Sequence, residues 1–147
     1  MAILKSSDVK KYCYNFKAIK VALARNGIEV NGLYFDMLIA AYLIDNSAKD
    51  NIDLIMNLYG VDIGSSDDQV SLFSQINYEK TAKVAYFTKV LANKLLDQLN
   101  EHGAFDLYNT LEIPLVNTLS KMEIEGFPLD AKILDSFGDG FKEKEKQ

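Results

Sequence analysis

Gly32-Leu33-Tyr34-Phe35-Asp36-Met37-Leu38-Ile39-Ala40-Ala41-Tyr42-Leu43-Ile44-Asp45 passes from an extended segment directly into a helix. Ile28 to Phe35 reads as extended chain, with Asn31-Gly32 as its turn signal. Asp36 stands where an N-cap belongs, because a short carboxylate there accepts from the free N–H groups of the first turn. Met37 to Ile44 is apolar nearly all round, the mark of a helix buried between layers.

Working outward, the same alternation recurs upstream. Lys11 to Asn15 is short and aromatic-rich, a second strand. Lys17 to Asn26 follows as a helix, with Ile19, Ala22 and Leu23 on one face and Gly27 as its stop. Downstream, Ile52 to Leu58 predicts a helix ending at Tyr59-Gly60, and Gly64 to Asp68 is an acidic, small-residue loop. Tyr78 to Glu101 predicts one long helix, with Ala82, Ala85, Tyr86, Leu95 and Leu99 among its apolar positions. Phe105 to Glu125 is a further helical run, striped by Leu111, Leu115, Leu119 and Met122, in which Pro114 should force a kink or a restart. Asp130 is placed to cap a last helix from Ala131, and Phe141 to Gln147 stops in mid-pattern. The expected class is α/β, helix-rich, with an all-helical C-terminal third.

Composition narrows the chemistry. The 147 residues carry 16 basic and 21 acidic side chains, a net charge of −5. That balance disfavours a self-sufficient nucleic-acid binder, which needs clustered Lys and Arg for phosphates. No apolar run approaches the roughly 20 residues of a membrane span, and Lys5 with the following serines interrupts any signal-peptide core. Cys13, between Tyr12 and Tyr14, has no second cysteine to pair with and reads as a small buried hydrophobe. His102 precedes Gly103 at a helix end, where a cation favours the dipole. A lone His and a lone Cys leave no zinc site and no Cys-His pair. Gly138-Asp139-Gly140 lacks the third glycine of a dinucleotide fingerprint. Asp67-Asp68 reads as a solvated pair, and Glu123 and Glu125 point to different faces of their helix. Composition and spacing alone leave an α/β domain with no visible active site.

Two stretches carry a more specific signal. Leu111 to Asp130, with Glu112, Pro114, Leu115, Leu119, Met122, Glu123, Gly126 and Asp130 in register, closely resembles the opening of the polymerase region in the bacterial DNA polymerase I family (family A). Tyr14-Asn15-Phe16-Lys17 and Gly32 to Asp45 resemble that family's 3′–5′ exonuclease domain. The resemblance runs from about residue 9 onward. It implies a partial ribonuclease-H-like exonuclease fold over 1–103, followed over 104–147 by the first helices leading into the polymerase thumb.

The resemblance also implies a catalytic test. Exonucleases of this superfamily hold two divalent ions with four carboxylates around the scissile phosphate. The first two come from an Asp-x-Glu pair on the opening strand; no Asp-x-Glu occurs in this chain. The third should stand four residues after Asn15, where Ile19 is found. The fourth closes a Tyr-x-x-x-Asp motif, matched here by Tyr86 to Val90. Asn15 and Tyr86 are retained, and Ile19 and Val90 replace metal ligands with branched hydrocarbon. Asp97, two turns beyond Val90, is the nearest acid on that helix and is at the wrong turn. Asp36 then reads as a cap, Tyr86 as structural, and Ile19 and Val90 as filling the space left by metals and water.

The expectation is therefore a catalytically degenerate exonuclease-like platform within a DNA polymerase, with no catalytic, cofactor-binding or metal residue of its own. Magnesium is expected in the parent enzyme. DNA, through the parent, and the remainder of the polymerase chain are the expected partners, with self-association through an open sheet edge and no membrane. The expected location is cytoplasmic, at the bacterial nucleoid. The competing readings are an exonuclease active in the intact parent and a free-standing interaction module.

Overall fold

The computed structural model describes residues 2–45, 47, 49–64, 78–128, 130, 132, 133 and 137. The βαβ unit expected from residues 11–36 forms, with both strands shorter than their extended sequence signals. β1 is Lys11–Cys13, α2 is Phe16–Arg25 and β2 is Leu33–Asp36. The strands pair in parallel, Tyr12 opposite Phe35 and Cys13 opposite Asp36, with an irregularity between Lys11 and Tyr12. A parallel pair needs a crossover, and α2 supplies it. The chain before it forms a short turn of helix, α1 (Ala2–Lys5).

Strand β2 begins only at Leu33 because Gly32 is a turn with φ 78°. A side chain there would meet the carbonyl oxygen of Val9 at 2.5 Å and those of Ser6 and Ser7 at 3.0 Å. Only glycine admits both the left-handed backbone and that close approach.

Three helices have the bounds that their sequence patterns predict. These are α3 (Met37–Ile44), α4 (Ile52–Leu58) and α5 (Tyr78–Glu101). α3 is not enclosed all round, however. Met37, Ala40 and Ala41 are buried, whereas Tyr42 is 59% exposed. The helix therefore packs on one side, against α5 and β2.

Past Gly103 the expected run divides into α6 (Phe105–Leu107), a π-helical turn (Tyr108–Glu112) and α7 (Ile113–Glu125). Pro114 lies in the first turn of α7. Its absent N–H and its ring are harmless there, and the wider π turn absorbs the break in the ladder just before it. The restart changes which side chains face inward. Leu111, Leu115, Leu119 and Met122 are 36–63% exposed, while Tyr108, Val116 and Ser120 are buried. The apolar stripe read from the sequence is the outer face. On an unbroken helix, positions eight apart diverge by about 80°; one extra residue in a π turn cuts that to about 20°. Tyr108 and Val116 are thereby brought to one side.

α5 and α2 show the same kind of correction. Ala82, Ala85 and Tyr86 face solvent, and the buried row is Thr88, Leu91, Ala92, Leu95 and Leu99. On α2 the buried residues are Phe16 and Val21, not Ile19 and Ala22.

Two apolar clusters result. The larger joins Phe35, Met37, Ile55, Met56, Leu95, Leu99 and Tyr108 from β2, α3, α4, α5 and the π turn. The smaller joins Phe16, Val30 and Val116, and lies where α7 packs along α2. Cys13 is half-buried, and its S–H donates to the Phe35 carbonyl at 3.6 Å. His102 is placed as its helix-end reading predicts, with Nδ1 2.8 Å from the Gln98 carbonyl. The Asp130 carboxylate accepts from the N–H groups of Lys132 and Ile133 at 3.0 and 3.4 Å. The readings on residues 65–68, 131, 138–140 and 141–147 lie outside the described residues.

Candidate functional site

Asp36 takes part in five hydrogen bonds among the described residues. It ends β2 and caps α3, accepting the Leu38 N–H on Oδ1 at 3.0 Å. The same oxygen accepts the Asn15 N–H at 3.1 Å, and Oδ2 accepts the Phe16 N–H at 2.7 Å. One carboxylate thus meets the first turns of both α2 and α3, where orphan N–H groups and the helix dipoles favour negative charge.

Asn15 adopts the left-handed conformation at φ 57° and turns its own side chain onto the Ala18 N–H at 3.2 Å. The backbone of Asp36 is held from the other side. Its N–H donates to the Tyr108 hydroxyl at 2.8 Å, and that hydroxyl donates back to the Asp36 carbonyl at 3.3 Å. Asp36 is 1% exposed and Tyr108 wholly buried.

Burial sets the titration of this node. It raises the Asp36 carboxyl above the ordinary carboxylate range, and the N–H donors from Phe16, Asn15, Leu38 and Ile39 pull the other way. The Tyr108 phenol and the Cys13 thiol are likewise raised, first by burial, with the Asp36 charge adding to both. Tyr14 is raised by burial and by its hydrogen bond to Asp50 at 2.5 Å. The raised thiol and phenols stay in their neutral forms near neutral pH, so none of the three is an ionised nucleophile. Asp36 borders a cavity of about 210 Å³ with Asn15, Lys17 and Glu112, but its lone pairs are committed to backbone donors. The arrangement binds helices together.

The four family positions fall in two places. Asn15 and Ile19 share the first turn of α2, where the Ile19 N–H donates to the Asn15 carbonyl at 3.3 Å. Tyr86 and Val90 lie one turn apart on α5, with the Tyr86 ring edge-on to Phe87 at 5.1 Å. Ile19 and Val90, expected to fill the space left by metals and water, are 38% and 53% exposed among the described residues. Burial of Phe16 and Val21 on α2, and of Leu91 on α5, turns both side chains outward. Tyr86 is 65% exposed, and its ring contact among the described residues is with Phe87. Asp97 is exposed as well.

Among the described residues no three His, Cys, Asp or Glu side chains are grouped to hold a metal. The positions present do not fit a two-metal centre, since hydrocarbon stands at Ile19 and Val90 and the buried acid is saturated by N–H groups. Tyr108 is the functional-looking residue that the pattern does not reveal, because the π turn that aims it inward has no sequence signature apart from Pro114.

The architecture is that of a helix-rich α/β domain built on a parallel βαβ unit, with the buried Asp36 carboxylate spent on structure. A family model for "DNA polymerase I, ribonuclease H-like domain" matches residues 1–99, and the chain belongs to that family. DNA polymerase I of Bacillus subtilis (strain 168) is 30% identical over 98% of this chain and 17% of its own length. The Chloroflexus aurantiacus enzyme is 32% identical over 91% of this chain and 16% of its own. That of Streptococcus pneumoniae TIGR4 is 32% identical over 82% and 15%. The chain spans about a sixth of the length of these curated relatives. No helix among the described residues is long and apolar enough to cross a membrane.

Proposed function

We propose that this chain is the catalytically silent exonuclease-like domain of a DNA polymerase and serves as a folded platform for it. The observation that carries the reading is the pair Ile19 and Val90 at the positions where the family places metal-binding acids. Neither side chain can ligate a cation. Asn15 keeps its place for a reason independent of catalysis: it caps α2. In this reading magnesium serves the polymerase chemistry of the parent and is held by other residues, and the parent acts on DNA at the bacterial nucleoid in the cytoplasm.

The division of labour along the chain follows. Residues 1–103 form the exonuclease-like unit, and 104–147 open the polymerase region. In packing, the helices after Gly103 belong with the first unit, because Tyr108 and Val116 sit in its apolar clusters. The platform therefore has the polymerase's first helices built into it. Self-association is the remaining part of the proposal: among the described residues β1 pairs only with β2, which leaves its other edge for a second copy.

The deciding experiment incubates 3′-labelled single-stranded DNA with the 147-residue chain, and with the polymerase that carries it, in magnesium and in manganese. No metal-dependent release of 3′ nucleotides is expected beyond the buffer control. Release that survives purification and disappears on replacing one carboxylate refutes the silent-domain reading. Light scattering that returns a strict monomer at millimolar concentration refutes the edge-pairing part alone.

A further inference from the structure

The seam between α2 and α7 carries a charge arrangement that the platform role does not use. Lys17, Lys20 and Arg25 stand on α2, and Lys121 stands on α7, in a chain whose net charge is −5. The neighbouring carboxylates are already matched. Glu29 pairs with Lys5 at 3.2 Å and takes a hydrogen bond from the Asn31 amide at 2.9 Å; Glu123 pairs with Lys17 at 2.8 Å. Lys20 and Lys121 have no ion-pair partner among the described residues.

Both lysines instead line one cavity of about 370 Å³, with Gly27, Glu29, Asn31 and Ile124. Lys20 is fixed across the seam, its Nζ donating to Asn117 Oδ1 at 2.7 Å. Its ammonium is driven below the ordinary lysine range first by burial and then by repulsion from Lys121, with the Glu29 charge opposing. Two like charges converging on one concavity are costly unless an anion sits between them. The cavity size lies in the ordinary range for small-ligand sites.

We propose that this cleft between α2 and α7 binds a phosphate group, with Lys20 and Lys121 as its two cationic contacts. Ammonium groups act as point charges, and two of them in one cleft can together balance a phosphate, which carries up to two negative charges. Glu29 also lines the cleft, and its carboxylate is taken up by Lys5 and the Asn31 amide. A phosphate of this kind comes either from a free phosphate or nucleotide or from a nucleic-acid backbone.

The test is an amide NMR titration of the 147-residue chain at constant ionic strength, set by chloride. One arm uses inorganic phosphate and the other an eight-residue oligothymidylate without terminal phosphates. Saturable shifts confined to Gly27, Asn31, Lys121 and their neighbours are the expected result in at least one arm. Response to both arms identifies the backbone as a source; response to inorganic phosphate alone identifies the free anion. The K20Q/K121Q double variant is expected to weaken binding by about tenfold or more. With the oligonucleotide it should also cut the salt slope by about 1.4, two single-strand contacts. K20R, which keeps the charge, should stay within about threefold of the parent. Absence of cleft shifts in both arms overturns the proposal. So does equal binding by the double variant, given an unchanged amide spectrum elsewhere.

Discussion

Replacing Tyr108 with phenylalanine tests the Asp36 node at its least exposed point. The ring volume is retained, so there is no cavity to pay for, and the contact with the Phe35 ring at 6.2 Å is kept. The hydroxyl is lost, and with it the acceptor 2.8 Å from the Asp36 N–H in a fully buried site. That N–H has no route to water. Orphaning such a donor costs about 1–3 kcal/mol. The return bond from the hydroxyl to the Asp36 carbonyl is long, at 3.3 Å, and adds little. An expected loss of about 2 kcal/mol follows, read as a fall in the urea midpoint of about 1 M at an unchanged slope. Tyr59→Phe is the control. Its hydroxyl donates to Gln98 Oε1 at 2.8 Å in a half-buried position where water can replace it, so a loss under about 1 kcal/mol is expected. If Tyr108→Phe unfolds within about 0.5 kcal/mol of the parent chain at the same slope, the node does not hold Asp36 in the way described.

Asp36→Asn should cost about 2 kcal/mol or more, because an amide cannot accept on both sides from Asn15, Phe16 and Leu38. Since burial raises the Asp36 carboxyl, its contribution is fully present below the unfolded value near 3.8 and declines as pH rises through the folded value; the penalty measured against wild type shrinks over that window. Glu123 has the opposite sign. Lys17 lowers its carboxyl, so the α2–α7 link it makes is present above about 4.5 and is lost as pH falls through the folded value, and Lys17→Met should flatten that dependence in a series of urea midpoints. Gly32→Ala should cost at least about 2 kcal/mol, since its new carbon meets backbone oxygens that cannot move aside, whereas Gly27→Ala, with nothing within 4 Å, should cost only the left-handed backbone term of about 1 kcal/mol. The double variant I19D/V90D should remain within about 1 kcal/mol of the parent, because both positions are substantially exposed, and should release no nucleotides with magnesium; a midpoint collapse would place those side chains in a packed interior.

How far the sequence could be read depended on what decides each feature. α3, α4 and α5 were legible to the residue, because caps and stops are local: Asp36 and Asn51 each accept from an N–H of the first turn they precede. The strands were legible in place but not in length, since pairing is set by the partner and Gly32 ends the extended run from outside. Which helix face is buried was the least legible. Leu111, Leu115 and Leu119 make a regular stripe that an unbroken helix would turn inward, and a single π turn rotates it outward. Of the site, Asp36 was legible as a cap and Asn15 only as a retained motif residue, and nothing in the sequence joins them into one node across 21 positions. Ile19 and Val90 illustrate the remaining limit: a residue type can be read at a position, but its burial depends on neighbours that periodicity alone does not rank.

The node also bears on where this domain can be divided. The sequence reading sets a boundary after Gly103, and the family match covers residues 1–99. Folding gives a different answer. Tyr108 lies beyond that boundary and holds the strand end that Asp36 occupies, while Asp36 in turn ties down the starts of α2 and α3. Val116, further on, closes the smaller apolar cluster with Phe16 and Val30. A chain cut at 103 would leave the Asp36 N–H unmatched and would strip the large side chains of Tyr108 and Val116 from two clusters. Each buried side chain of that size is worth about 1.5–3 kcal/mol. The loss is comparable to the whole stability of a small domain, about 5–15 kcal/mol. A 1–103 truncation should therefore lack a cooperative urea transition, whereas 1–128, which ends beyond α7, should retain one. Independent, cooperative folding of 1–103 would separate the two units in packing as well as in descent.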